Sequence, residues 1–438
     1  MYQLQFTLKQ HTPIIHFQHE QDGATLRATE VKPKLDRFIL MQLGKEDKTL
    51  LNDDEIYKKG KEIAKAKGWF ISDKHDALDY KMRIIPIGNL KHEDLINLSI
   101  EVKTNKNNEH VEKLNTNKTL PTYFGNMMKL DEFKSGKPFK KVSFYDELKL
   151  IFIVKNKSLK STLEGQISDF FFHHNFGTRQ SKGFGSFTIQ DDILLYNNIT
   201  FLELAHNLDF KDIFTVINYY HQRLKSGVNY SYQEIDRRNN RPIGTRFCHY
   251  NEAYIKEYIR DKKLTYVWDK KWLKEKFFPL APDHNKKKFA RAFLGLSYDF
   301  KFKTIRNPCN PTGTLPTNEL NINIDTENNI IQRIKSPITY KPIKTENCWR
   351  IYLIVNNEHL IKNESIITNH DFLFKENRNS YTIQTPENLL DIEELIKCYN
   401  KKLTNNFTAF YFNGKPINIT IKQNHYEHLP RHYHRTNI

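Results

Sequence analysis

The sequence predicts an α+β protein made of two units of similar element order, with helical insertions. Three observations carry this. Over the N-terminal part, strand-type and helix-type periodicities follow one another as strand, helix, strand, helix, glycine loop, strand, the order of a ferredoxin-like unit. A second series of strand and helix patterns fills about 290–424, alike in element order but not in sequence. The 438 residues are 38% hydrophobic and 13% aromatic, enough for two or three domains with real cores.

Taken in order, Tyr2, Leu4, Phe6 and Leu8 alternate with Gln3, Gln5 and Thr7, a half-buried strand that Thr12-Pro13 stops. Pro33 suits the first turn of a helix, and Leu35, Phe38, Ile39 and Leu43 give it one apolar stripe. That helix is expected to begin near Lys32 and Lys34, with Arg27 just upstream. A helix N-terminus beside cations is a ready anion site, and a solvated amphipathic helix with ordinary surface lysines is the alternative. Residues 54–67 have helical character, 84–87 form a short apolar piece, and 101–120 are expected as a long exposed loop or disordered arm. A strand is expected over 148–154. Ser161-Thr162-Leu163-Glu164 has the capping-box pattern, and the helix it opens carries Leu163, Ile167, Phe170, Phe171 and His174 before ending at Gly177. Phe184, Phe187 and Ile189 start the next strand.

The character changes from about Phe201. Ile213, Ile217, Tyr220 and Leu224 form a helix stripe that Gly227 can stop. Arg237, Arg238, Arg241 and Arg246 crowd a loop, and 253–291 interleave cations such as Lys256, Arg260 and Lys270 with rings such as Tyr254, Trp268 and Trp272. Phosphate neutralisation with base stacking would use that mixture; a helical layer with a wet lysine face would show it too. Residues 351–355 read as a buried strand, 389–396 as an acidic amphipathic helix, and 409–421 as a terminal hairpin around Asn413-Gly414.

The segment that draws chemistry together is Phe176-Gly177-Thr178-Arg179-Gln180-Ser181-Lys182-Gly183-Phe184-Gly185-Ser186. It holds three of the chain's 16 glycines, with two cations between them. Glycine allows positive φ and close backbone approach, so amides and cations of such a loop can face phosphates. A plain helix-to-strand turn reads the same way. The glycine spacing fits neither a P-loop nor a dinucleotide fingerprint, so no nucleotide cofactor is expected.

The formal charge of +17 favours a polyanionic partner, nucleic acid first. Cys248, Cys309, Cys348 and Cys398 include no Cys-x-x-Cys pair, which argues against a thiolate zinc site and for free thiols. His425, His428, His432 and His434 have metal-ligand spacings, but a basic terminal tail accounts for them, and no metal is expected. The first nine residues carry no signal core and no run of about 18 apolar residues occurs, so the expectation is a cytoplasmic protein without a membrane partner.

Arg179-x-x-Lys182-Gly183-Phe184-Gly185-Ser186 resembles the glycine-rich loop of the RAMP superfamily, the repeat-associated RNA-binding subunits of type III CRISPR effectors. The first strand with Thr12-Pro13, then Leu26-Arg27 through Lys32-Pro33-Lys34-Leu35-Asp36-Arg37, is similar to that family's opening segment, and Leu294-Gly295-Leu296 and Lys335-Ser336-Pro337 are weaker echoes. Order and length most resemble the two-domain subunit at the crRNA 3′ side of Cmr (type III-B) complexes. Ser181-Lys182 stands where a more basic Arg-Arg-Gly-Phe-Gly would be typical, and Pro33 where a small residue is common.

The resemblance implies two ferredoxin-like (RRM-like) domains, over 1–200 and 201–438, the second preceded by the basic and aromatic segment of about 205–290. It implies a non-catalytic subunit that grips crRNA and target RNA beside other RAMP subunits, in antiviral defence. The residues carried over are Gly177, Arg179, Lys182, Gly183, Phe184 and Gly185 in the loop, and Arg27, Lys32, Lys34 and Arg37 around the first helix. The alternative is a metal-independent endoribonuclease of repeat RNA, for which His16 and His174 (with His19 and His173 nearby) are the acid–base candidates. Asp22 is the candidate for metal-dependent target cleavage, with no motif around it.

Overall fold

Alternation in the N-terminal part becomes one antiparallel sheet. Its strands are β1 (Tyr2–Gln10), β2 (Tyr80–Ile87), β3 (Glu147–Val154) and β4 (Phe187–Ile189), in the order β4-β1-β3-β2. Leu4 lies opposite Phe152 and Leu8 opposite Leu148, while Ile84 lies opposite Leu150 on the other side. One face is therefore apolar throughout, and α1 (Ala28–Gly44) and α3 (Lys157–His173) cover it. Leu35 and Ile39 of α1, and Leu163, Ile167 and Phe170 of α3, share a core with Leu8, Leu150 and Phe152. Each fully buried side chain of that size adds about 2 kcal/mol. Between β1 and β2 the chain also forms α2 (Asp53–Ala66), against α1. The computed structural model describes residues 1–15, 25–47, 49, 52–72, 75–94, 96–104, 110–118, 134–135, 141–190, 199–236, 241–262, 288–297, 299–303, 319–324, 331, 333–356, 358–376, 379–405, 410–412, 415–417 and 419–422.

Three local expectations are corrected. The first helix begins at Ala28, so Pro33 lies inside it rather than in its first turn. Pro33 withholds one helical donor from Thr29, four residues earlier, which is exposed to water. The helix α3 begins at Lys157, because Asn156 Oδ1 accepts from the amides of Ser158 and Leu159 at 2.9 and 3.2 Å and caps it. The Ser161 pattern falls one turn inside. Finally, 96–104 and 110–118 are not a loop but an antiparallel pair, prefigured by the alternation of Ile96, Leu98, Ile100 and Val102.

A second sheet repeats the first in outline. It contains β5 (Phe201–Ala205), β6 (Ile338–Lys344), β7 (Cys348–Val355) and β8 (Ile419–Lys422), in the order β8-β5-β7-β6. In chain order α4 (Phe210–Lys225) follows β5, and α5 (Ile392–Asn405) lies between β7 and β8. The stop expected at Gly227 is made: its φ is +76°, and its amide donates to the Gln222 carbonyl at 2.9 Å.

The chain divides into two compact units: Met1–Thr215 with Thr339–Ile354 and Ala409–Ile438, and Val216–Ile338 with Val355–Thr408. The first holds both sheets. The second has its own four-stranded sheet, from Asp299–Lys303, Glu319–Ile324, Asp371–Glu376 and Asn379–Gln384. It also pairs Val228–Asp236 with Arg241–Asn251, so part of the region expected as helical and basic is a β-hairpin. In its helical part, Glu257 accepts from Arg223 at 3.0 Å and from Lys402, and Tyr220 donates to Asn400 at 2.7 Å. Among the described residues there are eight α-helices, and the architecture is mixed α and β with antiparallel sheets.

Candidate nucleic-acid interface

At the end of α3 the backbone turns extended at His174 and enters the glycine segment. Four residues there have left-handed backbone: Gly177 (φ 78°), Arg179 (58°), Gly183 (89°) and Gly185 (64°). A single 3₁₀ turn, Gln180–Lys182, joins the middle two. Glycine is required at 177 and 185, because a Cβ would sit 2.6 Å from the Ile15 carbonyl oxygen and 2.0 Å from that of Phe176. Arg179 holds its left-handed conformation without that freedom, at a cost of about 1–2 kcal/mol.

The body of the protein meets that cost with a dense set of bonds. The amides of Gly185 and Thr178 donate to the carbonyls of Pro13 and Ile15, both at 2.9 Å. Thr12 Oγ1 donates to the Gly183 carbonyl at 2.6 Å and accepts from the Ser186 amide at 3.0 Å. The Gly177 amide donates to Glu30 Oε1 at 2.9 Å, and within the turn the amides of Lys182 and Gly183 donate to the carbonyls of Arg179 and Gln180. Thr12-Pro13, read from sequence as the stop of a strand, is therefore the cradle of the loop. The expectation that loop amides face a ligand is corrected: these six amides are engaged inside the protein.

The second sheet supplies the other wall. Asn175 Nδ2 donates to the carbonyls of Gln180 at 2.7 Å and Tyr340 at 2.8 Å. Ser186 Oγ donates to the Pro342 carbonyl at 2.6 Å. Lys341 is fully buried, and its ammonium donates to the carbonyls of Phe171 (2.7 Å), His174 (2.9 Å) and Phe187 (2.9 Å). It thus caps the C-terminal end of α3, where a cation is favoured, although burial pushes its pKa well down. The Lys344 amide donates to His11 Nδ1 at 3.0 Å, which leaves Nε2–H to donate to Thr188 Oγ1 at 2.7 Å. His11 is neutral by the same geometry, and burial holds its pKa well below the ordinary range. None of Lys341, His11 or Asn175 was signalled by spacing, since these partners are far away in sequence.

The residues picked out from sequence separate into groups. Glu30 Oε1 accepts from both the Gly177 amide and Lys34 Nζ (3.1 Å), and Lys34 lies 4.9 Å from the centre of the Phe176 ring. Lys34 and the loop are thus brought together. Lys32 is turned elsewhere: its ammonium bonds Asp36 at 3.0 Å and the Leu78 carbonyl at 2.8 Å, over the Tyr80 ring at 3.7 Å. Burial pushes the Lys32 pKa down and that of Asp36 up. Arg37 lies over the Tyr57 ring at 4.8 Å. Lys32, Asp36, Arg37 and Tyr57 line a groove of about 710 Å³ together with Ile71 and Met82. Arg27 precedes α1, and its carbonyl takes the first helical amides, those of Glu30 and Val31.

Within the loop, Phe184 is buried and stacks on Phe214, centroids 3.9 Å apart and planes at 12°, so its ring packs inward. Arg179 and Lys182 are half-buried. Desolvation pushes the Lys182 pKa down to about 7, with the positive charge of Arg179 adding to it. His174 Nδ1 bonds the Phe170 carbonyl at 2.9 Å, and its ring packs against Phe170 and Phe38. Burial lowers its pKa to about 4. His16, His19, Asp22, Arg237, Arg238 and the tail histidines lie outside the described residues, as do 263–287 of the basic and aromatic stretch. Among the described residues no group of three or more His, Cys, Asp or Glu could hold a metal ion, and no helix is long and apolar enough to cross a membrane.

Comparison with known proteins adds the family. The model of the Cmr1 N-terminal domain matches residues 1–228, and that of the Cmr1 C-terminal domain matches residues 250–423. No curated protein matches. Among solved structures, the crystal structure of Cmr1 from Pyrococcus furiosus in its apo form is similar at 11% identity and a TM-score of 0.33, covering 86% of this chain and 98% of that one. The two domain matches span both halves in chain order and show that this chain belongs to the Cmr1 family, the RAMP-superfamily subunits of Cmr (type III-B) CRISPR complexes.

Proposed function

We propose that the chain is a non-catalytic RNA-binding subunit of a type III-B effector, holding crRNA and target RNA beside other RAMP subunits in the cytoplasm. The observation that carries the reading is the glycine loop. Its backbone is fixed by Thr12, Pro13, Ile15 and Glu30, while Arg179, itself left-handed, opens the 3₁₀ turn that Lys182 ends. With the amides engaged, the grip on phosphate falls to these two side chains, joined by Lys34 through Glu30. A net charge of +17 supports a polyanionic partner. We read the chain as two ferredoxin-like domains, 1–200 and 201–438. The supporting fact is that both sheets have the 4-1-3-2 strand order of a strand–helix–strand–strand–helix–strand unit. A histidine held neutral and hydrogen-bonded like His174 is poorly suited to proton transfer near neutral pH, which supports a binder over a nuclease.

The test is charge reversal. Arg179→Glu with Lys182→Glu should weaken binding of repeat-derived RNA by roughly tenfold or more, with a shallower salt dependence and an unchanged melting temperature. If the reversal disturbs the fold, Arg179→Gln with Lys182→Gln gives the same reading. Unaltered affinity in a folded variant rules the loop out, and RNA cleavage by the purified chain under chelation would make it a nuclease instead.

A further inference from the structure

The sheet β4-β1-β3-β2 has a second face, turned away from α1 and α3. Alternate residues of β2 put Lys81, Arg83, Ile85 and Ile87 on it, and β3 adds Lys149, Ile151 and Ile153. The contribution of β1 is polar: Gln3 and Gln5, both exposed, then Thr7 and Lys9, both half-buried. Across the ladder, Lys81 is opposite Ile153, Arg83 opposite Ile151, and Ile85 opposite Lys149, so cations and isoleucines form a chequered patch. Ile85 is 45% and Ile87 41% exposed, and Ile151 and Ile153 are half-buried. Contiguous aliphatic surface of this kind marks a contact site.

We infer that this face docks a neighbouring protein subunit, one presenting an aliphatic centre edged with carboxylates. Two features select a protein over RNA. Open sheets that hold single-stranded RNA stack its bases on rings, and among the described residues no outward position of β1, β2 or β3 is aromatic. Isoleucines set between the cations break up a phosphate-gripping surface, yet give an apolar centre of the kind protein interfaces bury. The sign of the rim is fixed by Lys81, Arg83 and Lys149, against Glu147 at the end of β3, so the complementary partner is acidic. The inference rests on the proposed assembly only for the partner's being a fellow subunit; it does not depend on the glycine loop.

The experiment uses the full chain, co-expressed with the other subunits of its complex and crRNA, with the photo-crosslinker benzoylphenylalanine in place of Ile87. The expected adduct is to a protein subunit, at a peptide mixing aliphatic residues with Asp or Glu. Ile85→Asp with Ile87→Asp should lower recovery of the chain in the assembly roughly tenfold while its own RNA affinity is unchanged. If that variant melts early, Lys81→Glu with Arg83→Glu should give the same loss with the fold intact. An adduct to RNA, or full recovery of both folded variants, overturns the inference. Should the isolated chain bind no RNA while the protein adduct forms, the RNA-binding reading fails and this one stands.

Discussion

The two sheets of the first unit share a strand order but differ in how their last strand is reached. In the first, α3 passes to β4 through the tight glycine segment, every turn of which is fixed by named bonds. In the second, β5 with α4 and the pair β6-β7 are separated by the stretch 226–337, and the sheet closes only with β8 at 419–422. Yet the first sheet's compact loop is completed by the second sheet's edge: Tyr340, Lys341, Pro342 and Lys344 of β6 take up Asn175, the end of α3, Ser186 and His11. Locality in sequence and locality in bonding are therefore different things here. The part that reads as self-contained is the part that depends on a distant strand.

Substitutions can break or sharpen this contrast. The largest effect is expected at Gly185, where a Cβ meets the Phe176 carbonyl oxygen at 2.0 Å and φ is +64°. Gly185→Ala should destabilise by on the order of 4 kcal/mol in a denaturant melt. A near-neutral result would mean the loop is loose. Lys341→Met comes next: it keeps the buried stem but strips the donor from three carbonyls, at a cost of about 3 kcal/mol. A small loss there would show the first sheet to be independent of β6.

The pH dependence at His174 is smaller. Its folded pKa of about 4 lies below the ordinary 6.5, so on acidification the unfolded chain takes up its proton first. Stability present above pH 6.5 is thus lost as the pH falls towards 4, by about 2 kcal/mol after allowing for its partial exposure. His174→Phe, which keeps the ring packing, should remove that share of the slope between melts at the two ends of this window. The least change is expected at Gly165, exposed on α3 with nothing within 4 Å of its missing Cβ. Gly165→Ala should stabilise by about 0.5–1 kcal/mol, opposite in sign to Gly185→Ala.

Legibility followed the same line. The strand β1 was plain because polar residues alternate with its buried ones, and β3 because Leu148 to Val154 is an apolar run broken only by Lys149. Half of β2 was missed, since Tyr80 to Arg83 mixes apolar and charged residues without a continuous apolar run. The strand β5 was missed outright: five residues, Phe201–Ala205, are too few to show a period before α4 begins. At the site, the glycines and cations were visible, but not which cations were already committed. The carboxylates that hold Lys32 and Lys34 lie four residues away, at Asp36 and Glu30, so that spacing was available to read. The partners of Asn175, Ser186 and His11 were not, because no local pattern encodes a bond across more than 150 residues.

Lys341 has a consequence for the order in which the molecule can be completed. A ribosome delivers the chain from its amino end, so α3 and the glycine turn emerge while β6 is still untranslated. Until then the carbonyls of Phe171, His174 and Phe187 have no ammonium to cap them, and the Asn175 amide and Ser186 hydroxyl lack their β6 acceptors. The nascent amino-terminal half must wait, with its hydrophobic layer assembled but one border unsealed, for residues made more than a hundred codons later.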